Sequence, residues 1–425
     1  MIREGDKVKI KTAKEVIEGV LMPSHEADVI IIKLANGYNV GIDKNKIKEM
    51  KIVEKHKEKE RKAKEIKEKK GLPTIMILGT GGTIASKVDY STGGVIAKFT
   101  PGDLLELMPE LGEIANIKTE LVANMMSEDM MFSDYQKIAA AIKKHANKVD
   151  GVIVGHGTDT LAYTAAALSF MFEKINIPVI LAGSQRSTDR GSSDGSINLI
   201  CAAEFIAKSN FAGVALCMHD ASEDNQCAIL PATKTRKMHT SRRDAFKVIN
   251  DKPIALVGYK TKKIEFLKKD YNKKSKDKIV LKDKFDENVA LIKTHTNMKN
   301  TLFEFLTKNY KAIVFEATGL GQMPTNLGKE NLKNYETLKK FIKKGGIAAI
   351  SSQCLFGRVH PSVYTNLRRL SEIGCVFCED MLPETAFVKL AWLLGNDKKD
   401  ARKLLTENLR GEINKRIEFE EDFLE

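Results

Sequence analysis

The chain has 425 residues, of which 43% are hydrophobic, and a formal net charge of +13. This length allows two or three domains with an ample core, and no run approaches the ~18 consecutive apolar residues of a membrane-spanning helix. The N-terminus, MIREGDKVKIK, is charged from its start and lacks the apolar segment of a signal peptide, so we expect a cytoplasmic protein with no membrane association.

The first 53 residues predict a small β domain. GDKVKIK, VIEGVLM and DVIIIKL alternate polar and apolar residues at short spacing, and Asn36-Gly37 predicts a hairpin with a type I′ turn. A compact SH3-like β-barrel with a docking role is the expected fold of residues 1–53. Residues 54–70 then carry nine Lys/Arg and five Glu, which predicts a charged linker over 54–71, either helical or flexible.

From residue 72 onward, strand and helix patterns alternate, which predicts an α/β fold with a doubly wound parallel sheet. We expect a large α/β domain at 72–258, a basic hairpin or linker at 259–287 and a smaller α/β domain at 288–425. The predicted strands of the two domains are 74–79, 117–123, 151–155, 178–182, 213–218, 288–295, 312–318, 346–352 and 375–378. The predicted helices include 133–148 and 197–209.

The distribution of charge and of cysteines gives weaker evidence about binding partners and about disulfides. Residues 260–285 hold a net charge of +7, which can attract a polyanion but more often marks a solvated surface. Six cysteines scattered over this length do not predict a disulfide framework. The lone Cys375-Val-Phe-Cys378 favours a small buried strand over the alternative of a metal or redox site.

Two predicted strands end in loops that carry hydroxyl groups. Thr74–Leu78 leads into Gly-Thr-Gly-Gly-Thr83, and 151–155 leads into His156-Gly-Thr158-Asp159-Thr. Ligands of open α/β sheets bind at the carboxyl ends of strands, and a threonine becomes a nucleophile when a base takes its proton. The alternatives are that the glycine turn is structural, that Asp159 caps the next helix and that His156 serves its turn.

Residues 233–246 supply candidate bases. A lysine placed beside hydroxyls and an aspartate can have a lowered pKa and accept a proton. The residues alone do not choose between Lys234 and Lys237, and the rest of the segment fits an exposed basic loop.

These motifs in this order resemble the bacterial-type L-asparaginases and related amidohydrolases, over roughly residues 72–425. The resemblance is carried by Thr-Gly-Gly-Thr-Ile-Ala, by His-Gly-Thr-Asp-Thr and by a lysine followed by Asp-Ala-Phe246. It implies an asparaginase-like two-domain α/β fold and amide hydrolysis through a threonine acyl-enzyme. Thr83 would be the nucleophile, and Thr158 and Asp159 would match the second motif. Lys237 would be the family lysine, which precedes the closing phenylalanine by nine residues.

The same resemblance implies a substrate-binding set. Ser127-Glu128-Asp resembles the family's Ser-Gln-Asp segment, with Glu128 in the place of the glutamine. Backbone amides of the turns at Gly82 and Gly157 would stabilise an oxyanion. The family has a tyrosine in the loop after the first motif, and Tyr90 is the tyrosine in that neighbourhood here.

The β domain, the charged linker, residues 236–246 and 379–386 are similar to the D subunits of archaeal glutamyl-tRNA(Gln) amidotransferases. That resemblance implies a glutaminase that passes ammonia to a partner E subunit, which holds Glu-tRNA(Gln) and uses ATP and Mg²⁺. This chain would hold no cofactor or metal, would take glutamine, with asparagine as the second candidate, and would form a homodimer within a heterotetramer of two D and two E subunits. The alternatives are a free-standing cytoplasmic L-asparaginase and a catalytically silent tRNA-docking subunit, and the complete threonine, aspartate and lysine set argues against the latter.

Overall fold

The computed structural model describes residues 2–24, 26, 28–55, 68–81, 86–88, 95–97, 100–186 and 192–417. Five strands make up the N-terminal unit: β1 (Lys7–Thr12), β2 (Val16–Met22), β3 (Val29–Lys33), β4 (Asn39–Asp43) and β5 (Ile47–Glu54). They form an antiparallel sheet in the order β4-β3-β2-β1-β5 around a small apolar core, which agrees with the predicted small β domain. Most of the predicted linker lies outside the described residues.

The predicted hairpin at Asn36-Gly37 joins β3 to β4, but its turn differs from the expected type I′. Lys33 pairs with Asn39, so five residues form the loop, and the Gly37 amide donates to the Leu34 carbonyl at 2.9 Å. Of the two central residues of the predicted turn, Gly37 alone has a positive φ, at 86°. A type I′ turn needs positive φ at both positions, so the prediction of the turn type was wrong.

The large domain alternates strands and helices as predicted. Its elements are β6 (Thr74–Gly79), β7 (Ser86–Val88), β8 (Val95–Ala97), α1 (Pro101–Leu107), α2 (Leu111–Ile114), β9 (Asn116–Leu121), α3 (Phe132–His145), β10 (Gly151–Gly155), α4 (Leu161–Met171), β11 (Phe172–Lys174), β12 (Pro178–Ala182), α5 (Gly195–Lys208), β13 (Gly213–His219), β14 (Gln226–Pro231), β15 (Thr235–Lys237), β16 (Phe246–Val248), β17 (Ala255–Gly258), β18 (Ile264–Phe266) and β19 (Val280–Leu281).

Eight of these strands form one sheet, in the order β18-β17-β14-β13-β12-β10-β6-β9. The five strands from β13 to β9 are parallel, as predicted, whereas β14, β17 and β18 extend the sheet with antiparallel pairing. Ile75 and Ile77 of β6 face a core with α5, while Met76 and Leu78 face a core with α3 and α4. This alternation buries both faces of β6, as a doubly wound sheet requires.

The C-terminal domain consists of β20 (Val289–Lys293), α6 (Asn300–Asn309), β21 (Ala312–Ala317), α7 (Lys329–Lys343), β22 (Ile347–Ser352), α8 (Thr365–Glu372), β23 (Val376–Phe377), α9 (Pro383–Asn396) and α10 (Ala401–Leu405). Its four strands form a parallel sheet in chain order. Helix α9 packs on α4 of the large domain, where Phe170 and Trp392 stack with ring centroids 5.9 Å apart. The two domains therefore share one core, and the α/β prediction is confirmed.

The six cysteines are all free, and Cys354 alone among them is exposed. Cys375 and Cys378 flank the buried strand β23, and burial raises the pKa of each thiol to about 12. Within the described ranges, no cluster of three or more His, Cys, Asp or Glu side chains is placed to hold a metal ion. No described helix has the length and apolar character needed to cross a bilayer.

Candidate active site

The site lies where the adjacent parallel strands β6 and β10 end. Gly79 pairs with Gly155, so the loops that follow them start side by side. The buried Thr80 ties the two loops together, since its hydroxyl donates to the Gly155 carbonyl at 3.0 Å. Gly81 has φ +107°, and a Cβ there would lie 2.2 Å from the Met125 carbonyl oxygen, so glycine is required at this position. The candidate nucleophile Thr83, together with Gly82 and Tyr90, lies outside the described residues.

His156 stabilises the turn after β10. Its ring is fully buried, with Nδ1 2.6 Å from the Gly157 carbonyl and Nε2 2.8 Å from the Thr164 hydroxyl. Desolvation lowers the pKa of His156 to about 4, so the ring is neutral at physiological pH. A neutral ring that donates from Nδ1 to a carbonyl accepts the Thr164 hydroxyl at Nε2. Both nitrogens are therefore occupied, and His156 is not placed to act as a general base.

Gly157 allows the segment at Ser127 to pack against the turn. A Cβ on Gly157 would lie 2.7 Å from the Ser127 Cβ and 2.8 Å from its Oγ. Ser127 is the first residue of a short 3₁₀ turn, and it is buried. Its carbonyl accepts a hydrogen bond from the Thr160 hydroxyl at 2.6 Å. Ser127 and Gly157, which were predicted separately, thus come together beside Thr158, whereas Glu128 is exposed.

Lys237 connects the second motif to the third. Its Nζ donates to Thr158 Oγ1 at 3.0 Å and to Asp159 Oδ1 at 2.7 Å, and its side chain is 15% exposed. Asp159 does not cap α4, because Thr160 occupies the N-cap position. Lys234, the other candidate base, is fully buried and its Nζ lies 2.5 Å from the carboxylate of Asp380. Of the two candidate lysines, Lys237 contacts the residues that follow β10, whereas Lys234 contacts Asp380.

The nine-residue spacing from Lys237 to Phe246 corresponds to a β-ribbon. β15 pairs with β16 in a separate two-stranded sheet, with Lys237 directly opposite Phe246. In the loop between them, Arg242 donates to both carboxylate oxygens of Asp244, at 2.8 and 2.7 Å. Phe246 is buried in the core shared with α3 and α4. The closing Asp-Ala-Phe thus holds the strand that places Lys237.

Gln185 also lies at the site, although the sequence motifs did not point to it. It follows β12, the other neighbour of β10, and its Oε1 lies 3.5 Å from Thr158 Oγ1, while its backbone amide donates to Asp194 at 3.0 Å. A Cβ on Gly183 would come within 2.7 Å of Thr158 Cγ2. The sequence could have pointed to Gln185, because the strand at 178–182 is the next predicted strand after 151–155. In a parallel sheet the carboxyl ends of both strands lie at the same edge, where the site is.

Comparisons with known proteins agree with these elements. Residues 74–272 match the family described as Asparaginase, N-terminal, residues 288–405 match the Glutaminase/Asparaginase C-terminal domain, and residues 2–53 match the GatD N-terminal domain. The D subunit of the glutamyl-tRNA(Gln) amidotransferase of Pyrococcus furiosus is 47% identical, over 97% of this chain and 92% of that protein. The corresponding D subunit of Sulfolobus acidocaldarius is 43% identical, over 96% and 91%.

Solved structures give the same picture for the two larger domains. The thermostable L-asparaginase of Thermococcus kodakarensis has a TM-score of 0.71 and 30% identity, and covers 80% of this chain and 99% of its own. The L-asparaginase I of Vibrio cholerae has a TM-score of 0.69 and 27% identity, and covers 81% and 100%.

Proposed function

The chain belongs to the family of glutamyl-tRNA(Gln) amidotransferase D subunits, and on that premise we propose that it is the glutaminase subunit of the tRNA-dependent amidotransferase. It hydrolyses glutamine and supplies the ammonia with which Glu-tRNA(Gln) becomes Gln-tRNA(Gln). The observation that carries this proposal is the contact of Lys237 with both Thr158 and Asp159 at the carboxyl end of β10. A silent docking subunit has no need of this arrangement. Residues 2–53 lie outside both asparaginase matches and match the GatD N-terminal domain, which favours the amidotransferase subunit over a free-standing asparaginase.

We assign the nucleophile to Thr83, on the resemblance of its motif. Its Oγ would attack the side-chain carbonyl of glutamine, and the proton would pass by way of the Thr158 hydroxyl to Lys237 Nζ. Collapse of the tetrahedral intermediate would break the C–N bond as the proton passes back from Lys237 to the leaving nitrogen, which releases ammonia and leaves a glutamyl ester on Thr83. Water would then hydrolyse the ester to glutamate and restore the hydroxyl. Backbone amides of the turns at Gly82 and Gly157 would stabilise the oxyanion in both halves of the reaction.

The remaining assignments concern substrate binding. Asp159 is 67% exposed at its side chain, so one oxygen is free to receive the substrate ammonium while the other holds Lys237. Ser127, buried against Gly157, would contact the substrate carboxylate. Glu128 is exposed and would act at the rim of the site, and Tyr90 would close it from the loop after the first motif.

The proposed assembly is supported by the similarity to the D subunits. A partner E subunit would hold the tRNA and bind the ATP and Mg²⁺ that activate its glutamate, and this chain would contribute two copies to a heterotetramer. Glutamine is the proposed amide donor, with asparagine as the competing substrate.

Ammonia release tests the proposal. The purified chain is assayed with glutamine and with asparagine, alone and with its partner subunit and charged tRNA. We expect glutamine turnover to rise sharply in the full complex. Fast asparagine hydrolysis by the chain alone, unchanged by the partner, would instead establish a free-standing asparaginase.

The variant Thr83→Ala separates glutamine hydrolysis from amidation. We expect it to abolish glutamine-dependent amidation in the complex while amidation supported by added ammonium continues. Loss of both would mean that Thr83 has a structural role in the assembly.

A further inference from the structure

The strand that carries Lys237 is not part of the main sheet. β15 and β16 are three residues long each and pair only with one another among the described strands. A two-stranded ribbon of this length has little stability of its own. The position of Lys237 must therefore be set by whatever holds the ribbon.

One end of the ribbon is bound to the C-terminal domain through Asp380. Its Oδ2 lies 2.5 Å from Lys234 Nζ, which immediately precedes β15, and neither side chain is exposed. Its Oδ1 accepts the Asn414 amide at 3.0 Å, and its carbonyl accepts Asn250 Nδ2 at 3.5 Å. Asn250 follows β16, so Asp380 contacts the chain at the root of both strands.

Further contacts near Asp380 also bind the root of the ribbon to the C-terminal domain. The Thr385 hydroxyl donates to the Thr233 carbonyl at 3.0 Å, and Arg236 of β15 lies 3.6 Å from the buried Glu384. The Ile249 amide donates to the Lys234 carbonyl at 2.8 Å and so joins the two strands at the same end. The opposite end, the loop 238–245, is largely exposed up to residue 242. Lys237 lies between the fixed root and this loop.

We propose that Asp380, through its buried ion pair with Lys234, is a positioning residue that holds Lys237 against Thr158 and Asp159. The proposal rests on the function proposed above. Ser127 and Gly157 are held by contacts to each other and to Thr160, independently of the ribbon. Displacement of the ribbon root therefore acts mainly on proton transfer and leaves the Ser127 side of the substrate site in place. Since a misplacement of 1 Å can cost about 100-fold in rate, we expect kcat to fall by about 10- to 100-fold with little change in KM.

The experiment compares three variants in the full complex with tRNA. Asp380→Asn removes one charge and leaves Lys234 buried without its counter-ion, which also destabilises the fold. The double variant Lys234→Met with Asp380→Asn removes both charges and keeps an oxygen for the Asn414 amide, so most stability should return. Lys389→Met is the control, because Lys389 forms another ion pair with no side-chain exposure, 2.6 Å from Glu412, and its other hydrogen bonds go to the Leu405 and Glu407 carbonyls rather than to residues of β15 or β16.

A second measurement reports the position of Lys237 without turnover. Brief acetylation with acetic anhydride, read by mass spectrometry at each lysine, gives the accessibility of Lys237 Nζ. We expect severalfold more acetylation of Lys237 in Asp380→Asn and in the double variant than in the wild-type chain or Lys389→Met.

The proposal stands if the double variant recovers stability but keeps a low kcat, an unchanged KM and an accessible Lys237. It is overturned if kcat returns together with stability, or if Lys389→Met lowers kcat equally. A wild-type complex that releases no ammonia from glutamine would refute the proposed function, and acetylation of Lys237 would then decide the positioning role alone.

Discussion

The neutral state of His156 has a measurable effect on stability. We consider the variant His156→Gln, which keeps a donor and an acceptor for the Gly157 carbonyl and the Thr164 hydroxyl but cannot titrate. In the unfolded chain a histidine has a pKa near 6.5, whereas burial lowers the pKa of the folded His156 to about 4. The unfolded state therefore binds a proton in a pH range where the folded state does not.

The sign and size follow from linkage. The stability associated with neutral His156 is fully present above pH 6.5 and is lost as the pH falls from 6.5 to about 4. At 1.36 kcal/mol per pH unit the loss amounts to about 3 kcal/mol. His219 is also buried with a lowered pKa, but it titrates in both proteins and cancels in the comparison.

Hydrogen exchange measures this locally, which suits a chain of several domains. Peptides that cover β10 and α4 give the free energy of opening for the wild-type chain and for His156→Gln across this pH range. We expect the wild-type advantage to shrink by about 3 kcal/mol as the pH falls to about 4. An advantage that is constant with pH would refute a neutral, buried His156.

Two further predictions concern substrate contact and catalysis. Gly157→Ala places a Cβ 2.7 Å from the Ser127 Cβ, so Ser127 must shift. We expect the KM for glutamine to rise about tenfold, as a 1–3 kcal/mol repacking cost implies, and an unchanged KM in steady-state assays would remove Ser127 from the substrate site. Asp159→Asn deprives Lys237 of the charge 2.7 Å away. We expect kcat to fall about 100-fold or more, and full activity in the same assay would show that the Asp159 charge does not orient Lys237.

The fold was predictable where its pattern is regular. The buried parallel strands, such as Gly151–Gly155, are short apolar runs between turn signals, and these follow the β-α alternation. The antiparallel extension of the sheet by β14, β17 and β18 escaped prediction, because a short strand pattern does not show in which direction the neighbouring strand runs. The turn at Asn36-Gly37 differed because a five-residue loop places the positive φ on Gly37 alone.

Candidate site residues could be named from the sequence where they follow the end of a strand in one motif. Thr158 and Asp159 follow β10 directly, but the choice of Lys237 over Lys234 needed the family spacing. The physical reason for that choice is the partner of Lys234, since Asp380 lies 146 residues away in the chain and occupies the buried amine. A local sequence pattern cannot reveal a long-range ion pair. It also cannot reveal that His156 is buried, because burial depends on the tertiary packing around the ring.

The exposure of Cys354 gives the chain a natural attachment point for a fluorophore. Thiol reagents attack accessible cysteines, so a maleimide dye should label Cys354 and leave the five buried thiols intact. The dye would sit beside Leu355 and Gly357, whose carbonyls accept Asn250 at the ribbon root. The chain has one tryptophan, Trp392, buried on α9. Native protein thus carries a single donor and a single labelling site for energy transfer, and movement at the ribbon root becomes visible during turnover without any engineered cysteine.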